Sequence, residues 1–216
     1  AGIEFSTSKF LDPYNHNLAA FNLSGPIWRK NDEDRTPILS YLITGEYNYQ
    51  HDRDPSAIGM PELNSEILSN LQSNPTNFVG EPNYNYFQDF TYGLNEAELL
   101  TVDDWAISDA KKNHADKDLR LQGKLTFGIT RDIDFIMGGN FKSNKYNSGS
   151  WSNQLLNFDV NPTYLEHSYN YYARIQHRLS GNDGGVVKNL FYTLQADHSS
   201  YSELLENPNH GKNYFL

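Results

Sequence analysis

Side-chain alternation with a period of two residues constrains this chain more than any other feature. In residues 39–50, Leu39, Tyr41, Ile43, Gly45, Tyr47 and Tyr49 share one face, while Ser40, Leu42, Thr44, Glu46, Asn48 and Gln50 share the other. The pattern returns in 119–130, where Leu119, Leu121, Leu125, Phe127 and Ile129 oppose Arg120, Gln122, Lys124, Thr126 and Thr130. It returns again in 133–142 (Ile133, Phe135, Met137 and Phe141, with Ile136 out of phase), in 169–179 and in 190–197. Two weaker runs, 2–8 and 18–24, open the chain. Successive side chains of a strand point to opposite faces, so this periodicity predicts seven β-strands, each with an apolar and a polar face.

Composition agrees with strands and removes several function classes. The chain has 216 residues, with 15 Tyr, 12 Phe and 3 Trp. Such aromatic content does not suit a disordered chain. There is no Cys, which excludes disulfide frameworks, thiol nucleophiles and Cys-ligated metals. Lys and Arg number 17 against 27 Asp and Glu, a net charge of −10, so no nucleic-acid partner is expected. No apolar run is long enough for a membrane-spanning helix.

Strand length and connection length point to one architecture. Several runs exceed the five or six residues usual in soluble domains and approach the ~9–11 needed to cross a bilayer as a tilted strand. Connections alternate between tight turns (Arg131-Asp132; Gly181 to Gly185) and long excursions at 51–118 and 143–163. Tight turns on one side and long loops on the other are the habit of outer-membrane barrels. The expectation is therefore all-β: seven antiparallel transmembrane strands spanning 1–216, forming part of a larger barrel. Residues 52–117 form a long extracellular loop within it. Inside that loop the spacing predicts one short helix at 61–71 and another at 105–112, entered from Thr101.

On this reading Glu46, Asn48, Gln50, Arg120, Gln122, Lys124, Arg174, Gln176 and Arg178 face the lumen. Tyr84, Tyr86, Phe87, Trp105 and Trp151 are the loop aromatics available to stack on a ligand. Catalytic signatures are missing: the serines lack a nucleophile-elbow context, and Gly181 to Gly185 is followed by a strand. The chain is therefore not expected to be an enzyme, and no cofactor is expected. His114-Ala115-Asp116-Lys117-Asp118 and Asn31-Asp32-Glu33-Asp34 read as solvated loops in preference to metal sites, because neither has a closing ligand set at the required spacing.

Residues 17–26 (NLAAFNLSGP), 37–49 (PILSYLITGEYNY) and 52–58 (DRDPSAI) resemble the start of the barrel in TonB-dependent outer-membrane receptors of the Bacteroidota type. So do 118–124, 171–176, 188–195 and 210–213. The resemblance implies a segment of a barrel of about 22 strands, lacking its plug, in a ligand-uptake transporter of the outer membrane. It implies as partners the remainder of the barrel and plug, TonB through segments not in this chain, outer-membrane lipid and a surface lipoprotein. It also implies that the two outermost strands are paired by the rest of the receptor. The alternatives are a soluble β-sandwich or propeller that binds glycans, and a structural subunit of an outer-membrane complex without transport. The cargo is not legible in the sequence.

Overall fold

The computed structural model describes residues 1–31, 37–78, 93–150, 152–180, 189–211 and 213. Seven strands form one antiparallel sheet: β1 (Gly2–Thr7), β2 (Asn17–Arg29), β3 (Pro37–Gln50), β8 (Asp116–Gly128), β9 (Ile133–Asn147), β10 (Thr163–Ser180) and β11 (Asn189–Glu206), adjacent in that order. The missing numbers belong to the excursion between β3 and β8. There β4 (Met60–Leu63) pairs with β7 (Trp105–Ser108), β5 (Thr76–Phe78) pairs with β6 (Gly93–Asn95), and α1 (Ser65–Ser73) follows β4. The fold is all-β with open sheets and, among the described residues, one α-helix.

Register carries the sequence pattern across the whole sheet. Ile3, Phe21, Gly45, Leu121, Phe141 and Tyr169 stand in one cross-strand row. Tyr41, Leu125, Met137, Ala173 and Ala196 form another, and Leu39, Phe127, Phe135, Ile175 and Leu194 a third. Opposed residues of an antiparallel pair lie on the same face, so these rows make one face of the sheet mainly apolar, with Lys117, Lys145, Ser143 and His167 toward its loop end. The other face carries Glu46, Arg120 and Lys142 in one row, and Asn48, Asp118, Asn144, Glu166 and Glu203 in the next.

Parity also sorts the connections. The segments 8–16, 51–115 and 148–162 leave from one end of the sheet, where Gln50, Asp116, Tyr146, Tyr164 and Leu205 are in register. At the other end, Thr130 Oγ1 accepts hydrogen bonds from the N–H groups of Asp132 (3.2 Å) and Ile133 (3.0 Å), which fixes the tight β8–β9 turn.

Two expectations about the excursion are corrected. Residues 61–71 are not one helix: Met60–Leu63 is a strand and α1 begins at Ser65. Nor is 105–112 helical. Thr101 and Asp104 hydrogen-bond as a cap (Thr101 N–H to Asp104 Oδ2, 2.7 Å), yet the turn that follows ends at Asp104. Trp105 then pairs with Leu63 and Ile107 with Pro61, so cross-strand pairing overrides the helix-start signal.

The barrel expectation is corrected as well. Among the described residues β1 pairs only with β2 and β11 only with β10, leaving the sheet open. In hydrocarbon the two bare edges would leave N–H and C=O groups unsatisfied, each costing several kcal/mol. The transmembrane strands, the barrel of about 22 strands and its lumen therefore have no support in this structure. Beside the seven strands stand two two-stranded sheets, β4–β7 and β5–β6.

Two glycines opposite each other in one rung separate backbone crowding from open space. A Cβ on Gly139 would lie 2.6 Å from the carbonyl oxygen of Asn170 and 3.3 Å from Tyr171 Cα, whereas one on Gly123 would meet nothing within 4 Å. Gly139→Ala is expected to lower stability by about 1–3 kcal/mol by forcing β9 and β10 apart, with Gly123→Ala neutral or slightly stabilising. Urea denaturation of the two variants checks the contrast.

Candidate functional site

The best-ordered side-chain chemistry lies where the loops leave the sheet. Asp52, two residues beyond β3, is fully buried. Its carboxylate accepts hydrogen bonds from the backbone N–H groups of Asp54 (3.1 Å) and Lys111 (2.8 Å), which joins the two ends of the excursion. The Lys111 ammonium lies 3.3 Å from Asp52 Oδ1 and 2.7 Å from Asp54 Oδ1, and donates to the Asp54 carbonyl at 2.7 Å. His114 Nδ1 is 3.0 Å from Asp52 Oδ1. Lys111 and His114 are only 12% and 14% exposed, so their pairs with Asp52 are poorly solvated, whereas Asp54 stands 78% exposed.

Surrounding contacts bind this cluster to both the sheet and the 148–162 segment. Arg53 pairs with Asp116 (2.7 Å), and its guanidinium stands 4.4 Å from the centre of the Tyr146 ring. Lys112 pairs with Glu62 and lies over the Phe158 ring at 5.2 Å. Asn113, with a positive φ of 51°, donates to the Phe158 carbonyl and accepts from Asn147 at 2.6 Å. Asn161 is fully buried and accepts from the N–H of Ser150 (3.3 Å). The buried apolar side chains Met60 and Leu63 belong to the same loop base.

Burial pushes the Asp52 carboxyl upward, but the two backbone hydrogen bonds and the charges of Lys111 and His114 outweigh it. The net effect is a pKa below the usual aspartate value. Further along the same end of the sheet, desolvation and the Glu166 carboxylate, which accepts from Tyr146 Oη at 3.3 Å, push the Tyr146 hydroxyl above its ordinary value.

Asp52, Asp54 and His114 bring ligand atoms within 4.8 Å of one another, a grouping that could hold a metal. The Lys111 ammonium already lies within ion-pair distance of both carboxylates, so their charge is met by a side chain. The cluster is an ionic clamp on the loop ends. Sequence reasoning missed it because Asp52 and Asp54 lie some sixty residues from His114. The one available signal was that both flank the long excursion.

The residues singled out from the sequence are not gathered into one site. Tyr84, Tyr86, Phe87 and Trp151 lie outside the described residues, as do Asp32, Glu33, Asp34 and 181–185. Trp105 is half-buried in β7, opposite Leu63. A depression of about 380 Å³ does adjoin α1, lined by Ile67, Leu71, Leu99, Leu100, Glu96 and Asp104. The nine polar strand residues do share a face, and Arg120 bridges Glu46 (3.5 Å) and Asp118 (2.6 Å) there. Lys142 meets Asp118 at 3.4 Å and Arg178 meets Asp134 at 3.3 Å. With the sheet open, that face lines no lumen.

No family model matches the chain, and no match was found among curated proteins or solved structures. The resemblance to TonB-dependent receptors is therefore not sustained. With it fall the uptake function, the outer-membrane location, and the barrel, plug, TonB, lipoprotein and lipid as partners. Short alternating strand segments recur in many β proteins, and the quoted stretches do not carry a family assignment.

Two outcomes follow from the clamp. Lys111→Met, which leaves Asp52 buried without its ammonium, is expected to cost about 3 kcal/mol in a denaturant melt. The acid limb of stability is the second. Asp52 has its pKa lowered by folding, so its ionised form contributes stability above the unfolded-state value, and this is lost as pH falls through the depressed native value. Thermal melts below about pH 4 are expected to show a smaller acid-induced drop in Asp52→Asn, which is less stable at pH 7.

Proposed function

We propose that this chain is a non-catalytic structural module, one layer of a larger protein assembly, whose apolar sheet face is covered by a companion polypeptide. The observation that carries this reading is the exposure of that face. Ile43 is 45% exposed, Ile175 40% and Leu194 70%, although all three belong to the apolar rows. The chain's accessible surface is 16083 Å², against about 10,000 Å² for a compact monomer of its mass. A contiguous apolar surface this broad marks an interaction site.

Two features add support. On the apolar face the glycine rung Gly123–Gly139 opens a depression of about 760 Å³ between Ile43, Leu125, Met137 and Tyr171, a receptacle for side chains of a covering layer. The charged groups with the closest contacts, among them Asp52, Lys111, Asp118 and Arg120, are engaged with one another, including where Arg120 and Glu46 line an open depression of about 610 Å³ on the polar face. That arrangement suits a scaffold better than an enzyme.

The isolated chain is expected to bind a hydrophobic-surface dye strongly and to self-associate in light scattering. The triple variant Ile43→Thr, Leu125→Thr, Ile175→Thr is expected to lose most of the dye signal and sediment as a smaller species, with its β-sheet circular dichroism intact. A dye-dark, monomeric parent chain would contradict the proposal.

A further inference from the structure

The two edges of the sheet differ in kind. β1 is six residues long, and a short edge is one way that proteins blunt strand addition. β11 pairs with β10 along its whole 18-residue length without a bulge. It contains no Pro, Lys or Arg, so the only charges that guard this edge are the acids Asp197, Glu203 and Glu206. Alternate residues of such a strand turn their N–H and C=O groups away from the sheet.

Charge identifies what the edge lacks. Glu203 lies directly opposite Glu166, a like-charge pair that weakens a sheet. Each carboxylate is held by a tyrosine hydroxyl: Tyr201 donates to Glu203 (3.1 Å) and Tyr146 to Glu166 (3.3 Å). Neither Glu203 nor Asp197, on the same face of β11, has a cation within ion-pair distance among the described residues. On the opposite face of the strand stand Leu190, Tyr192 and Leu194, each more than half exposed. A second copy of β11 would bring three more acids and no cation.

The geometry points to β11 as the acceptor edge for a strand from another polypeptide, one with Lys or Arg facing Asp197 and Glu203 and apolar residues facing Leu190 and Leu194. Strand addition supplies main-chain hydrogen bonds, while alternate side chains supply selectivity. This goes beyond the structural reading above, since an edge accepts a strand whether or not the apolar face is covered.

Because the chain has no cysteine, the edge can be probed by disulfide tethering on the full chain. Ser199→Cys is equilibrated in a thiol redox buffer with two synthetic strand peptides of alternating Val and Thr. Each peptide carries a central Cys, and they differ only in Lys or Glu at the positions facing Asp197 and Glu203. The Lys peptide is expected to be captured about tenfold more than the Glu peptide. Adding Glu203→Lys is expected to shrink or reverse that preference. Equal capture of the two peptides, capture of neither, an unchanged preference with Glu203→Lys, or Ser199→Cys chains pairing with one another in preference to peptide would each overturn the inference.

Discussion

Pairing of β8 with β9, unbroken from Asp116 opposite Tyr146 to Gly128 opposite Asp134, fixes the parity on which the other features depend. A slip of one residue would set Leu121 and Leu125 on the face opposite Met137 and Phe141 and break every cross-strand row. The same parity sets Asp118 beside both Arg120 and Lys142, giving the polar face its ion pairs. It also brings the ends of β3, β8, β9 and β10 level, which is why the long connections share one end of the sheet.

The ionic clamp is a consequence of that alignment. A chain segment that leaves at Gln50 and returns at Asp116 must bring its two ends together, at an entropic cost that grows slowly with loop length. Asp52 offsets part of this cost by taking backbone hydrogen bonds from both ends, and Lys111 compensates its buried charge. Arg53 and Asn113 extend the contact to Tyr146 and Phe158, so the excursion and the 148–162 segment settle on the sheet together.

What the sequence disclosed was local. The alternation in 39–50 and 119–130 named strands that pair in register, and the sorting of side chains into two faces follows from the same period. It did not disclose extent. β10 and β11 run to 18 residues because His167, Ser168, Ser199 and Ser202 continue the ladder without continuing the apolar pattern. Trp105 to Ser108 was misread as helix because capping at Thr101 is a local signal, while the pairing with Met60–Leu63 is not. The clamp was illegible for the same reason: Asp52, Lys111 and His114 meet only once the strands are aligned. The larger barrel was the deepest error. Period and loop length describe each strand and its neighbours, and neither says whether further strands continue the sheet beyond β1 and β11.

An open sheet differs from a closed one in the hydrogen bonding of its last strand, and amide hydrogen exchange on the isolated chain reads that directly. The account predicts slow exchange along β8 and β9, which are paired on both sides, and a two-residue alternation of slow and fast amides along β11. Uniform protection of every amide from Leu190 to Glu206, as in a strand bonded on both sides, would contradict it.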